Sequence, residues 1–235
     1  MNFIWDGVRG AFWIIANGDS DVVGVVKVTL RLALLSTLLA LAIGLPLGLW
    51  LGLARFRGRR AMLAGVNAGL GFPPVVVGLV VALLLFRGAP LGSLNLIYTV
   101  NGMVLAQTVL SLPIVAALTA AAVQAVDPNL LMQAQALGAS PARVGMLALR
   151  EARIGVLAAT VAALGSALSE VGALVLVGGN ITGQTQTLAT SVLTEVSAGE
   201  YSRAIALGTI LMGLVLVLSA MLTVVQHRGQ REASA

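Results

Sequence analysis

The chain alternates long uncharged apolar runs with short polar or basic islands. Residues 32–54, 61–86, 88–126 and 204–226 contain no Asp, Glu, Lys or Arg. A helix needs about 20 apolar residues to cross the hydrocarbon core of a bilayer, so each run holds at least one span. The pattern predicts five transmembrane helices, over residues 31–54, 61–86, 102–126, 154–177 and 204–226. Gly44, Gly48 and Gly52 fall at every fourth position of the first, a face on which a neighbouring helix can come close. Pro46 predicts a kink there. Pro73 and Pro74 remove two backbone donors from the middle of the second span, which is therefore expected to bend or unwind. Pro113 lies inside the third. The fold class read from this pattern is an all-α polytopic membrane protein.

Ahead of the first span, Phe3, Ile4, Trp5, Phe12, Trp13, Ile14 and Ile15 crowd a segment broken by Asp6 and Arg9. It is too short to cross, and its aromatic residues suit the membrane–water interface. An oblique sixth span is the competing reading. Residues 1–21 are accordingly expected as an interfacial segment, 22–227 as the transmembrane domain and 228–235 as a tail.

Composition agrees. Hydrophobic residues make up 58% of the 235 and charged residues 10%, where a soluble domain carries about 25% charged residues. The basic residues sort by side. Arg55, Arg57, Arg59, Arg60, Arg143, Arg150, Arg153, Arg228 and Arg231 lie between spans one and two, between three and four, or after five. Arg9, Arg87 and Arg203 lie on the opposite side with Asp19, Asp21, Glu195 and Glu200, and Lys27 and Arg31 lie at the entry of span one. This asymmetry places the N-terminus outside and the C-terminus in the cytoplasm. The net charge of +5 is thus a matter of topology and says little about nucleic acid.

The chain has no cysteine and one histidine, His227. Thiolate and multi-histidine metal sites are excluded, and no cofactor is expected. The single lysine, Lys27, follows Val26, so there is no phosphate-binding loop for ATP. No acid pair or nucleophile–base set points to an enzyme.

Residues 127–153 form a polar, basic island between spans three and four. Asp127 and Pro128 read as a helix cap and first turn. Leu130, Leu131, Ala134 and Leu137 recur at helical spacing, Gly138 ends that helix, and Ser140 with Pro141 starts another that carries Arg143. The result is a helix–turn–helix along the membrane surface, either an ordinary amphipathic connector or a lever for a partner outside the bilayer.

Met132-Gln133-Ala134-Gln135-Ala136-Leu137-Gly138 resembles the coupling loop of ABC importer permeases, E-A-A-x-x-x-G followed nine residues on by I-x-L-P. Ala134 and Gly138 match. Met132 stands in place of the glutamate, Gln133 of the first alanine, and Leu147-Ala148-Leu149-Arg150 of the I-x-L-P. Pro73-Pro74-Val75-Val76-Val77-Gly78-Leu79 is similar to the P-P-V-V-x-G run of molybdate-type permeases. Gly88-Ala89-Pro90-Leu91-Gly92 with Ile97-Tyr98-Thr99 is similar to a loop of the tungstate branch. Glu170-Val171-Gly172-Ala173, Gly178-Gly179-Asn180-Ile181-Thr182-Gly183 and Thr185-Gln186-Thr187 resemble the E-[VF]-G-A…G-N-I-x-G-x-T-x-T block of the molybdate and tungstate permeases.

The chain therefore resembles ABC importer inner-membrane permeases of the molybdate/tungstate type, the tungstate branch most of all. The resemblance implies a type I importer permease fold with a cytoplasmic coupling helix. It also implies a homodimer, two separate ATP-binding subunits engaging Leu130, Ala134, Leu137, Gly138, Ser140 and Arg143, and an external substrate-binding protein. The implied cargo is a tetrahedral oxyanion, tungstate before molybdate. Rival readings are another solute such as sulfate or phosphate, or a channel or scaffold subunit without an ATPase.

Glu170 is a lone ionisable group in the fourth span, which makes it a candidate for function; a structural hydrogen-bond acceptor is the plainer reading. Gly178 and Gly179 permit left-handed backbone with exposed amides. Asn180, Thr182, Thr185, Thr187 and Thr190 are candidate donors to a passing oxyanion, or plain caps in an external loop. Pro73, Pro74 and Pro113 are candidate gate hinges.

Overall fold

The structure, a computed structural model, describes residues 3–17 and 19–231. Side chains at 3, 15, 16, 223 and 225–231 lie outside the described part, as do residues 232–235. The expected tail and its arginines, Arg228 and Arg231, fall there. Among the described residues the chain is helical, with no strand: α1 (Phe3–Asn17), α2 (Ser20–Leu53), α3 (Arg59–Gly69), α4 (Pro74–Leu85), α5 (Val100–Gln124), α6 (Pro128–Ala136), α7 (Pro141–Glu151), α8 (Arg153–Ser169), α9 (Gly172–Gly178), α10 (Leu188–Ser197) and α11 (Tyr201–Arg231).

Three helices are long and apolar enough to cross a bilayer: Ser20–Leu53, Val100–Gln124 and Tyr201–Leu222. Two bent pairs, α3 with α4 at 99° and α7 with α8 at 70°, raise the number to five if each pair is one span. The sharp bend at Pro73 and Pro74 is the one expected from the two missing donors. Pro73 is extended, with φ −61° and ψ 119°, and Pro74 opens α4, where a missing N–H costs nothing. Pro46 and Pro113, by contrast, sit inside helices that continue past them.

Three expectations need correction. The helix that holds the first span begins at Ser20, ahead of residue 31. Lys27 and Arg31 occupy an exposed face without interrupting the helix, and Asp19 Oδ1 caps its start by accepting from the Asp21 N–H at 3.0 Å. The fourth span is not continuous: it breaks at Glu170 and Val171 and resumes as the seven-residue α9. The stretch after it is not simply a loop, because α10 folds within it on a Thr187–Thr190 capping box.

The chain packs as two compact units, Met1–Ser36, Pro73–Gln107 and Gly165–Met221 in the first, Thr37–Phe72, Thr108–Leu164 and Leu222–Ala235 in the second. The core of the first unit joins Val81, Ala82, Leu85, Ala106 and Val177 in one cluster and Leu32, Met103, Val104 and Leu174 in another. In the second unit the glycine face of α2 lies against α5. A Cβ on Gly44 would stand 2.8 Å from Val115 Cβ, one on Gly48 2.7 Å from the Ala116 carbonyl oxygen, and one on Gly52 2.6 Å from Val123 Cγ1. The ladder is therefore a helix-packing face. At the end of α2, Arg59 donates from Nε to the Leu51 carbonyl at 2.8 Å and from Nη2 to the Gly52 carbonyl at 3.1 Å, satisfying acceptors that the helix leaves open.

Overpacking a well-filled contact costs about 1–3 kcal/mol, and at Gly48 the obstacle is backbone. Gly48→Val is expected to lower the melting temperature of the detergent-purified protein by several degrees. Gly213→Ala, where a Cβ meets nothing within 4 Å, should leave it unchanged in the same thermal-shift measurement.

Candidate coupling lever and translocation loop

The lever is built on two helix caps and a left-handed glycine. Asp127 accepts from the Asn129 N–H at 2.8 Å and Pro128 follows as the first helical residue. At the other end of α6, the Gly138 N–H donates to the Gln135 carbonyl and the Ala139 N–H to the Ala134 carbonyl, both at 3.0 Å. This double closure is a Schellman motif, which needs a left-handed residue at the position after the cap. Gly138 supplies it with φ +83°. A side chain there would meet nothing within 4 Å, so backbone conformation and not space selects glycine. Ser140 is extended and Pro141 restarts the chain as α7.

The two arms of the lever differ in how they are held. In α7, Val144, Gly145 and Ala148 are buried, and Ala148 joins Val123 and Ala152 in a cluster flanked by Leu49, Leu53, Val126 and Leu131. α6 has no buried residue. Leu130 and Ala134 are half-buried, whereas Ser140 and Arg143 are exposed. Met132 is 56% exposed and Leu137 89%. An open cleft of ≈ 690 Å³ runs alongside, lined among others by Arg55, Leu131, Met132, Gln135 and Pro141. One arm is thus rooted in the second unit and the other is presented outward with apolar side chains uncovered.

The loop after α9 belongs to the first unit. Glu170, half-buried at the break, accepts the Ala173 N–H on Oε1 at 3.1 Å and so caps the start of α9. Gly178 is buried, and Gly179 and Asn180 adopt left-handed backbone with φ 72° and 49°. Thr185 donates to the Gly178 carbonyl at 2.6 Å and accepts the Ile181 N–H at 2.9 Å. Thr187 and Thr190 cap α10 reciprocally. Asn180 Nδ2 donates to Thr194 Oγ1 at 2.9 Å, while its buried Oδ1 has no partner. Thr182 is exposed. The hydroxyls of Thr185, Thr187 and Thr190 thus take part in hydrogen bonds within the loop and the α10 cap. Of the candidate hinges, Pro73 and Pro74 are exposed, and Pro113 in the second unit is half-buried, close enough to α3 that a Cβ on Gly69 would touch its ring.

Two fastenings escaped the sequence reading. The Leu188 N–H donates to Thr29 Oγ1 at 2.9 Å, and the Tyr98 N–H to the Val177 carbonyl at 2.8 Å. Thr29 and Leu188 are 159 residues apart, so no local pattern announces the pair.

With this geometry in hand, likeness to known proteins is informative. A probable anion ABC transporter permease of Haloferax volcanii is 40% identical over 214 residues, 88% of this chain and 92% of that protein. A tungstate uptake system permease of Peptoclostridium acidaminophilum is 33% identical over 227 residues, 97% of this chain and all of the relative. The inward-facing methionine transporter MetNI superposes with a TM-score of 0.65 at 20% identity, covering 90% of this chain and 95% of that one, which shows the type I importer permease fold. Residues 44–230 match the binding-protein-dependent transport system inner membrane component, and the chain belongs to that family of multi-pass transport permeases.

Proposed function

We propose that the chain is the membrane-spanning subunit of an ATP-driven importer that carries a tetrahedral oxyanion into the cytoplasm, tungstate first and molybdate second. The observation that carries the cargo is the nearly end-to-end likeness to a tungstate uptake permease. The anion permease relative at higher identity supports the same chemistry. Family membership entails ATP-binding and substrate-binding partners in general terms. The finer reading is a homodimer with two ATP-binding subunits on the cytoplasmic side and a binding protein outside. The transport subunit hydrolyses nothing itself; ATP is consumed on the separate partner. The N-terminus lies outside, the C-terminus in the cytoplasm, and α1 rests at the interface, a reading supported by its exposed Ile4, Trp5, Phe12 and Trp13.

In this reading α6 is what the ATP-binding subunit grips, through Leu130, Ala134, Leu137, Gly138, Ser140 and Arg143. ATP-driven closure of the motor moves α6. The locked turn at Gly138 passes that displacement to α7, and α7 passes it to α2 and α5 through Leu49, Leu53 and Val123. The pathway runs past the Glu170 break and the loop at Gly178, Gly179, Asn180, Thr182, Thr185 and Thr187, with Pro73, Pro74 and Pro113 as hinges. Glu170 acts there as a cap and not as a ligand, since a carboxylate repels a dianion.

Tungstate uptake by proteoliposomes holding the complete importer tests the cargo. Excess sulfate should leave uptake undiminished, and full competition by sulfate overturns the assignment. Gly138→Val forces a β-branched residue into left-handed backbone, at about 1–2 kcal/mol for the conformation alone. Uptake should fall to background while ATP hydrolysis persists and membrane insertion is normal; Gly138→Asn, which tolerates that conformation, should keep part of the transport. Glu170→Gln retains an acceptor for the Ala173 N–H and should keep at least about half of the uptake, whereas Glu170→Ala removes a half-buried hydrogen bond worth about 1 kcal/mol and should lose most of it.

A further inference from the structure

A second cleft, ≈ 280 Å³ in volume, lies in the first unit between α2, the start of α5 and the loop after α9. Arg31, Asn101 and Gln184 are among the residues that line it, and no acidic residue does. Arg31 Nη2 reaches Asn101 Oδ1 at 3.4 Å, long for an N–H···O bond. No carboxylate stands within ion-pair distance of Arg31 among the described residues. Lys27 lies one turn earlier on the same face of α2. The cleft is therefore lined by a permanent cation that has one long hydrogen bond and no ion pair among the described residues.

The surroundings fix these donors in place. Thr99 accepts the Gly102 N–H on its hydroxyl at 3.1 Å and the Met103 N–H on its carbonyl at 3.1 Å. The α5 N–H groups of Val100 and Asn101 remain, at the positive end of a 25-residue helix. Thr185 has both hydrogen-bonding sides of its hydroxyl occupied and serves as rigid wall. Tyr98 holds left-handed backbone at φ +59°, a conformation that costs a bulky residue of order 1 kcal/mol or more and persists only where the surroundings enforce it. Its ring edge on Phe86, with centroids 6.4 Å apart, and its N–H on the Val177 carbonyl do so here.

We propose that this cleft is a transient binding site for the cargo oxyanion within the permease itself, with Arg31 as its cation and Asn101 and Gln184 as neutral donors. The proposal rests on the oxyanion reading above. A guanidinium presents paired N–H groups that match two oxygens of a tetrahedral anion. The volume leaves room for the ion with part of its hydration shell, since a water takes about 30 Å³ of liquid. One fixed positive charge against a dianion gives capture without a trap, which a conduction site requires. Arg31 is also the last charged residue of α2 before the uncharged run 32–54.

The test uses the purified permease assembled with its ATP-binding subunits, without binding protein, dialysed to equilibrium against labelled tungstate. Weak saturable retention is expected; Arg31→Gln should reduce it about tenfold or more, Arg31→Lys should restore part of it, and Gln184→Ala should reduce it several-fold. Size-exclusion elution identifies folded variants, and if Arg31→Gln does not assemble, Gln184→Ala in an exposed loop decides. No retention by the wild type, or equal retention by wild type and variants, overturns the proposal. Lost capture of the binding protein by Arg31→Gln with tungstate retention intact makes the cleft a docking socket, and overturns it too. Tungstate uptake by the wild-type importer is the separate control: its failure sinks the cargo reading, whereas uptake without Arg31-dependent retention sinks only the cleft.

Discussion

In hydrocarbon, a backbone N–H or C=O without a partner costs several kcal/mol, and no water is present to supply one. That constraint governs this chain more than any single contact, because its helices break where a simple spanning bundle would not. Four helix ends are served by a side chain. Glu170 serves the first turn of α9, Thr99 the first turn of α5, Thr29 the first residue of α10, and Arg59 the last carbonyls of α2. Buried hydroxyls and one carboxylate, which read from a sequence as ion ligands, are first of all substitutes for missing backbone partners.

Where periodicity and turn chemistry are local, the sequence was legible. The helix–turn–helix at 127–153, its Asp127 cap, the stop at Gly138 and the restart at Pro141 all follow from residues within one or two turns of each other. So does the bend at Pro73 and Pro74. The glycine ladder announced a close helix, though not that α5 would fill it. Illegible were the break at Glu170, which no proline marks, and α10, whose capping box is Thr-x-x-Thr in place of the usual glutamate or glutamine. The hydrogen bonds of Thr185 and Thr187 were illegible for the same reason: composition announces a hydroxyl, and only the folded loop tells what it bonds.

The lever shows how the same economy of partners bears on transport. A hinge that moved freely at Gly138 would absorb the displacement of α6. The Schellman closure instead fixes the angle between α6 and α7 with two backbone hydrogen bonds, and glycine is the residue that permits this without strain. With Met132 at the glutamate position of the E-A-A-x-x-x-G pattern that the loop resembles, the outward arm offers apolar surface and few charges. In the proposed coupling, a partner would be held by shape and by burial of Met132 and Leu137, which stand 56% and 89% exposed. Burying two such side chains gives about 1.5–3 kcal/mol each, comparable to what a single charge-assisted bond provides. Loss of the acid thus changes the chemistry of the grip more than its strength. In the proposed coupling, the rigid turn and not the identity of the contact is what would pass motion of a partner to Leu49, Leu53 and Val123.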